Sequence, residues 1–198
     1  MNQLSFLPNE TEPDRRRPAE PIVRTACVEG RYRRWLVRKW GAGPLVGWAM
    51  HNPSDADGKR DDPTLWRIMG FSFRWGYGGL VVANHYPVVT SSPRECHRWR
   101  ASFKGPGSID TEAHQAFIRN HADCAALFSD CALLMAAWGA GADPGDVEQW
   151  LEEVTAKMDR PALWHCLGTT ADGSPKHPLG RGKHRVPDDQ RPMLWRRA

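Results

Sequence analysis

Short apolar runs and amphipathic segments alternate along most of the chain. Four runs are almost continuously apolar, which is typical of strands buried on both faces of a sheet, and they lie at 44–50, 79–88, 131–139 and 162–168. Three further segments carry apolar residues at helical spacing, and these lie at 62–76, 110–128 and 143–158. This alternation predicts the α/β class, as a three-layer α/β/α sandwich around a central four-stranded parallel sheet.

Aspartates followed by a proline mark the start of the first predicted helix. Asp62 occupies the N-cap position, where a side-chain oxygen accepts from free backbone N–H groups, and Pro63 suits the first helical position. Asp61 and Asp62 are therefore interpreted as helix starters. Whether either of them also lines a cleft stays open.

The sequence predicts one domain preceded by an arm. Residues 1–22 are polar and contain several prolines, so they are predicted to be flexible. Residues 23–198 are numerous enough to bury a core of their own and are predicted to form a single α/β domain. Within it, the polar stretch 90–108 lacks a clear period and is expected to be irregular.

Composition places the protein among soluble globular chains. Hydrophobic residues make up 40% of the chain and charged residues 25%, which are ordinary values. No apolar run approaches the roughly 20 residues that span a bilayer, and the N-terminal stretch lacks the order of a secretion signal. A cytoplasmic location without membrane contact is therefore expected. The five cysteines form no C-x-x-C pair, which disfavours disulfides and a zinc ribbon.

The net charge of +4 is unevenly distributed. The segments 31–40 and 175–185 are strongly basic, and the chain ends in LWRRA. Basic segments mixed with aromatic residues are expected where a protein binds nucleic acid. The same segments are also compatible with a solvated surface, and both interpretations stay open.

Polar residues follow three of the four predicted strands. They are His51, Asn52, Asp55 and Asp57 after the first strand, Asn84 and His85 after the second, and His177 in the loop after the fourth. In parallel α/β sheets the ligand crevice lies at the carboxyl ends of the strands. We therefore expect these side chains to converge on one cleft.

Several chemistries are disfavoured at this cleft. Asp55, Asp57 and Gly58 resemble the start of a calcium loop, but Trp66 stands where such a loop needs a glutamate, so no metal is expected. The sequence contains no P-loop, no G-x-G-x-x-G and no G-x-S-x-G motif. Hydrolysis or transfer at a glycosidic bond remains, because an asparagine offers a donor and an acceptor together, as a nucleobase edge does.

Two family resemblances bear on this hypothesis. The ordered motifs RYRRWLVRKWG, NPSDAD, DDPT, FRWGYGGLVVANHYP, AAWG and HCLGTTADGSPKHPL are similar to those of domain of unknown function 1643, a bacterial and phage family. The similarity covers roughly residues 30 to 180 and by itself implies no function.

The same motifs resemble, more distantly, the uracil-DNA glycosylase superfamily. Met50-His51-Asn52-Pro53-Ser54 stands where single-strand-selective and mismatch-type members carry G-[MI]-N-P-G. Asn84 ends a strand ahead of a proline, Gly139 follows the third strand, and Lys176-His177-Pro178-Leu179 stands where the superfamily has an H-P-S loop. Ser54 and Leu179 depart from the superfamily pattern, which leaves the base open, with a damaged or modified base as the alternative to uracil.

The resemblance implies a uracil-DNA glycosylase-like fold and a set of site residues. Asn52 would position the attacking water, His177 would donate to the departing base, and Asp55 and Asp57 are either water-activating carboxylates or turn formers. The residues expected to bind the base are His51, Asn84, His85 and Trp66. The residues expected to contact the DNA backbone are Ser54, Ser92, Ser174, Lys176, Arg181, Lys183 and Arg185.

The predicted function is hydrolysis of the N-glycosidic bond of a base flipped out of DNA. No cofactor is expected, the partner is single- or double-stranded DNA, and the protein is expected to be a monomer. Two other functions stay open. One is a non-catalytic protein that binds a modified base or DNA, and the other is a hydrolase or transferase acting on free nucleosides or nucleotides.

Overall fold

The computed structural model of the protein describes residues 18–20, 22–54, 56–105, 107 and 110–197. Within these residues seven strands form one sheet in the order β1-β2-β4-β3-β5-β6-β7. The strands are β1 Val23–Glu29, β2 Tyr32–Lys39, β3 Leu45–Met50, β4 Gly79–Asn84, β5 Leu133–Ala136, β6 Leu163–Cys166 and β7 Met193–Arg197. The helices are α1 Pro63–Arg74, α2 Pro93–Ala101, α3 Thr111–Ser129 and α4 Pro144–Ala156, with a short 3-10 helix at Gly182–His184.

The four strands predicted from apolar runs form the centre of the sheet. They are β3, β4, β5 and β6, and neighbours among them pair in parallel. At one side β2 pairs antiparallel with β4 and β1 with β2, and at the other side β7 pairs antiparallel with β6. The prediction of a four-stranded parallel sheet is therefore corrected. The sheet of the described residues has seven strands and is mixed, because three charge-bearing strands add to its edges.

Helices cover both faces of this sheet. On one face α1 buries Ile68 in a cluster with Trp48 of β3. On the other face α3 and α4 bury Phe128 and Trp150 in a second cluster with Trp164 of β6. Each of these side chains is almost inaccessible to solvent, and full burial of Ile68 or Phe128 contributes about 1.5–3 kcal/mol to stability. The two clusters fix the sheet between the helical layers.

The helix starts follow the predicted caps, and one helix was not expected. Asp62 accepts the backbone N–H of Leu65 at 2.7 Å at the start of α1. Within the stretch expected to be irregular, Ser92 caps α2 by accepting the N–H of Glu95 at 3.3 Å. This helix lacks an apolar period because it is short and mostly polar, so a periodicity criterion does not detect it.

The basic segment 31–40 forms strand β2 rather than an exposed surface. Arg33 and Arg38 are 5% and 0% exposed. Arg38 forms an ion pair with Asp61 across 2.7 Å, and Arg34 forms one with Asp123 of α3. Arg38 and Arg34 thus tie β2 to the loop before α1 and to α3. They form neither a nucleic-acid-binding surface nor a solvated surface, which were the two interpretations of this segment.

Ile22, the last residue of the predicted arm, packs in the folded domain. Ile22 is 8% exposed and belongs to the core cluster on the α1 face, so the arm does not extend to this residue. Residues 1–17 and 21 lie outside the described residues. In the described part of the chain no helix is long and apolar enough to cross a membrane.

Candidate functional site

A small pocket, with a cavity volume of about 60 Å³, opens where β3 and β4 end and α1 begins. Its apolar wall includes Leu36, Met50, Leu65, Ile68 and Val82. Its main polar side chains are Arg33, Asn52, Ser54, Asp62, Asn84 and His177. Three residues predicted from different strand ends, Asn52, Asn84 and His177, thus share one pocket.

Asn52 is held by its amide nitrogen. Nδ2 donates to the carbonyl of Thr90 at 2.6 Å and to the carbonyl of Pro53 at 3.1 Å. Since carbonyl oxygens only accept, the orientation of the amide is fixed by its partners. Oδ1 has no hydrogen-bond partner among the described residues, so it is the atom of Asn52 that remains to orient a ligand or a water molecule.

Asp62 combines a structural role with a place in the pocket. Oδ1 accepts the N–H of Leu65, and Oδ2 accepts the hydroxyl of Ser54 at 2.9 Å. As the sequence predicts, Asp62 starts the helix, and its carboxylate also lines the pocket. The helix start therefore brings a carboxylate to the pocket wall.

His177 presents one nitrogen as a donor. The backbone N–H of Leu179 donates to Nδ1 at 3.2 Å, so in the neutral ring the proton resides on Nε2. Burial lowers the pKa of His177, although the negative charge of Asp62 partly offsets this effect. The histidine is thus a neutral Nε2–H donor at neutral pH.

Gly139 supports the loop that carries His177. Its N–H donates to the carbonyl of Pro175 at 2.9 Å. Its φ is +78°, and a Cβ at this position would lie 3.3 Å from Cβ of His177. A glycine after β5 therefore lets the loop approach the end of the sheet.

Asn84 is oriented by a buried arginine. Nη2 of Arg33 donates to Oδ1 of Asn84 at 2.9 Å, and Nη1 donates to the carbonyl of Ala56 at 2.6 Å. Asn84 is 1% exposed. Burial lowers the pKa of Arg33 to about 10, which still leaves the guanidinium charged at neutral pH. Arg33 was not predicted as a site residue.

The two histidines next to the asparagines do not line the pocket. His85 is 1% exposed, stacks on Tyr86 at 4.1 Å between ring centroids, and contacts the carbonyl of Asp146 through Nε2 at 3.0 Å. His51 lies edge-on to Tyr86 at 5.2 Å, and burial lowers its pKa to about 4. Neighbouring residues of an extended segment point to opposite faces, so His85 cannot accompany Asn84.

The acidic loop is organised around turns. Oδ1 of Asp57 accepts the N–H groups of Lys59 and Arg60, both at 2.7 Å, and Asp57 does not line the pocket. Asp55 lies outside the described residues. Trp66 lies on α1 and packs against the core rather than in the pocket. In the described segments no group of three or more His, Cys, Asp or Glu side chains is arranged to hold a metal ion.

The residues predicted to contact DNA lie at several places. Ser54 lines the pocket, and Ser92 caps α2. The N–H of Ser174 donates to Asp172 at 3.3 Å, and the N–H of Lys176 donates to Gly168 at 2.9 Å, both within the loop before His177. In the turn that follows this loop, the side chains of Arg181, Lys183 and Arg185 are exposed.

The chain belongs to a known family. The family model described as protein of unknown function (DUF1643) matches residues 31–179, which confirms the resemblance to domain of unknown function 1643. Comparison with curated proteins found no match, and neither did comparison with solved structures. The matched residues include every polar residue named above as lining the pocket.

Proposed function

We propose that the protein is an N-glycosylase, which hydrolyses the bond between the sugar and a damaged or modified base flipped out of DNA. The observation that carries the proposal is that Asn52, Asn84 and His177, from three separate strand ends, line one pocket. By the distant resemblance to the uracil-DNA glycosylase superfamily, Asn52 positions the attacking water and Asn84 binds the base. His177 donates a hydrogen bond to the base as it departs.

The pocket offers the groups that such a hydrolysis needs. Oδ1 of Asn52 accepts a hydrogen bond from the water that attacks C1′ of the sugar. Asp62 supplies negative charge near the oxocarbenium-like sugar that forms as the glycosidic bond breaks. Nε2–H of His177 donates to an oxygen of the base as it leaves with the bonding electrons. The water oxygen remains on C1′, and a water proton is released to the base or to solvent.

The basic turn after His177 suits the DNA backbone. Arg181, Lys183 and Arg185 are exposed and follow the pocket residue by four to eight positions. Extruding a base costs a few kcal/mol, which contacts to phosphates offset. Asp57 and Asp61 each have an arginine within ion-pair distance, Arg60 at 3.7 Å and Arg38 at 2.7 Å, which reduces the repulsion between these carboxylates and DNA phosphates.

Base release from oligonucleotides tests the proposal. Single- and double-stranded oligonucleotides bearing uracil, hypoxanthine or hypermodified pyrimidines are incubated with wild type and with Asn52→Ala, and free base is measured by mass spectrometry. We expect release of at least one base by wild type and a loss of about 100-fold or more in Asn52→Ala, in line with the loss of one preorganised group.

Gln149→Ala is the control, because this exposed amide lies on α4, on the other face of the sheet. It should retain wild-type release. If no oligonucleotide loses its base, the proposal is rejected. Tight binding of a modified oligonucleotide without release would instead favour the non-catalytic binder, and release from free nucleosides alone would favour the nucleoside hydrolase.

A further inference from the structure

Arg33 is a buried charge without a carboxylate partner in the described part of the chain. It is 5% exposed, and its two hydrogen bonds go to uncharged oxygens, those of Ala56 and Asn84. Its Nε has no hydrogen-bond partner among the described residues. Arg38 of the same strand is equally buried but forms an ion pair with Asp61 at 2.7 Å. Buried charges in proteins are normally paired with an opposite charge, and Arg33 has no such ion pair among the described residues.

A β-bulge directs Arg33 into the pocket. Cys27 of β1 pairs with Trp35, but Val28 pairs with Arg33, so Arg34 is an extra residue of β2. Strict alternation from Leu36, which packs on the α1 face, would place Arg34 on that face and Arg33 on the other. The bulge reverses this order, and Arg34 meets α3 while Arg33 lines the pocket. Bulges of this kind re-aim side chains next to functional sites.

Arg33 also determines which atom Asn84 offers. Oδ1 of Asn84 accepts from the guanidinium at 2.9 Å, and a flipped amide would bring two donors together. Nδ2 of Asn84 has no partner within the described residues. Asn84 and His177 therefore present donors, Nδ2 and Nε2–H, to a pocket that also holds the positive charge of Arg33 and the negative charge of Asp62.

The helix α1 adds to the positive potential. Its N-terminus opens onto the pocket through Thr64 and Leu65, and helix N-termini attract negative charge. The negative charge of Asp62 raises the pKa of Arg33 against the effect of burial, but among the described residues no ion pair joins the two side chains. Both carboxylate oxygens of Asp62 are engaged, one by Leu65 and one by Ser54.

We propose that the pocket takes a planar, oxo-substituted ring that carries a carboxylate or equally acidic group, and that Arg33 binds this negative charge. Only the ring in this inference rests on the proposed function. The negative charge of the ligand is inferred separately, from a buried guanidinium that has no ion-pair partner among the described residues. Nδ2 of Asn84 and Nε2–H of His177 donate to the ring oxygens. A ring that presents an amino group to these donors is disfavoured.

Isosteric probes test the charge requirement. Binding of 5-carboxyuracil and of orotate to the full chain is compared by calorimetry with binding of their neutral amides at pH 7.5. At least one acid should bind about tenfold or more tightly than its amide, because a hydrogen bond to a charged group is stronger than one to a neutral group. Arg33→Gln should reduce this ratio to about twofold or less. Arg34→Gln, the neighbour on the other face, should leave the ratio unchanged.

Two outcomes would overturn the assignment: equal binding of acids and amides, including no binding of any probe, or an unchanged ratio in Arg33→Gln. Should Arg33→Gln not fold, the salt dependence of wild type decides. Acid binding at a buried arginine should weaken less than about threefold between about 50 mM and about 500 mM salt, whereas binding at exposed charges weakens more. If acetate or orthophosphate bound as tightly as 5-carboxyuracil and orotate, the proposal that the pocket recognises a ring would be refuted.

The outcome is independent of that for base release. Base release without preference for the acids would refute this inference and leave the proposed function intact. Preference for the acids without base release from any oligonucleotide would refute the glycosylase and leave the assignment of Arg33 intact.

Discussion

The hydroxyl of Ser54 donates to Oδ2 of Asp62 at 2.9 Å, which joins the turn after β3 to the start of α1. The other oxygen of Asp62 accepts the N–H of Leu65 at 2.7 Å. One carboxylate thus caps a helix, holds a pocket-lining turn and places a negative charge in the pocket.

The two roles of Asp62 can be separated by substitution. Asp62→Ala removes the cap and should lower the free energy of unfolding by about 1 kcal/mol, whereas Asp62→Asn retains a capping oxygen and should cost only a few tenths. Both variants remove the charge, so under the proposed function both should lower base release by about tenfold or more. Urea denaturation and base release measure the two effects.

Asp110→Ala is a matched control. Asp110 caps α3 with the same two contacts, to the N–H of Ala113 at 2.9 Å and to the hydroxyl of Ser102 at 3.3 Å, but it does not line the pocket. It should lose similar stability and retain base release. Wild-type release by Asp62→Asn would show that its charge has no part in the reaction.

The sequence was sufficient for the centre of the fold but not for its edges. The strands β3 to β6 are apolar because helices cover both faces, so an apolar run predicts them. β1 and β7 have largely exposed or half-buried residues, and β2 carries buried arginines. The side-chain partners of the buried Arg33 and Arg38 are Asn84 and Asp61, 51 and 23 positions away in sequence, so the burial of these arginines has no local signal.

The site was predictable to the extent that strand ends determine it. Asn52, Asn84 and His177 meet because parallel strands bring their carboxyl ends to one edge. Adjacent residues of a strand lie on opposite faces, so His85 points away from the face of Asn84, although both were predicted to bind the base. Arg33 was missed because a bulge, a feature of strand pairing, decides its direction.

The ion pair of Arg38 with Asp61 should be essential for stability. Arg38→Met leaves Asp61, which is 3% exposed, with Arg24 as its remaining partner at 3.2 Å. Breaking a buried pair should lower the free energy of unfolding by about 3–5 kcal/mol. Arg196→Met breaks the half-exposed pair with Glu148 and should cost about 0–1 kcal/mol. Similar losses in the two variants by urea denaturation would contradict this.

Stability should fall as the solution becomes acidic. Burial lowers the pKa of His51 to about 4 and that of His85 to about 3 from an ordinary value of 6.5. Between about pH 6.5 and pH 4 the unfolded chain therefore binds protons that the folded protein does not, and each histidine should cost about 1.4 kcal/mol per pH unit. The stability is fully present above about pH 7.

Urea denaturation between pH 8 and pH 5 measures this dependence. His51→Phe should make the slope of the free energy of unfolding against pH shallower by about one proton. The slope should not vanish, since His85, whose pKa is also lowered, remains. A free energy of unfolding that stays constant over this range would show that the histidines titrate alike in both states.

Binding to DNA should depend on salt through the turn after His177. Replacing Arg181, Lys183 and Arg185 with Gln should make the slope of log K against log salt shallower by about 0.9 per lost phosphate contact on duplex, or about 0.7 on single strands. Replacing the exposed Lys39, Arg119 and Lys157 with Gln removes the same charge from other surfaces. Fluorescence anisotropy should show a smaller change for this second triple variant. Equal changes would mean that the turn has no special part in binding.

Gly139→Ala should displace His177, and Gly173→Ala serves as the control variant. Gly139 and Gly173 have φ of +78° and +81°, so alanine at either position should cost about 1–2 kcal/mol of stability. Only at Gly139 would the new Cβ meet His177, at 3.3 Å, whereas at Gly173 no described atom lies within 4 Å. Melting temperatures should therefore fall alike in both variants, while base release falls only in Gly139→Ala. If Gly173→Ala lost as much activity, general loosening of the loop, and not the position of His177, would be responsible.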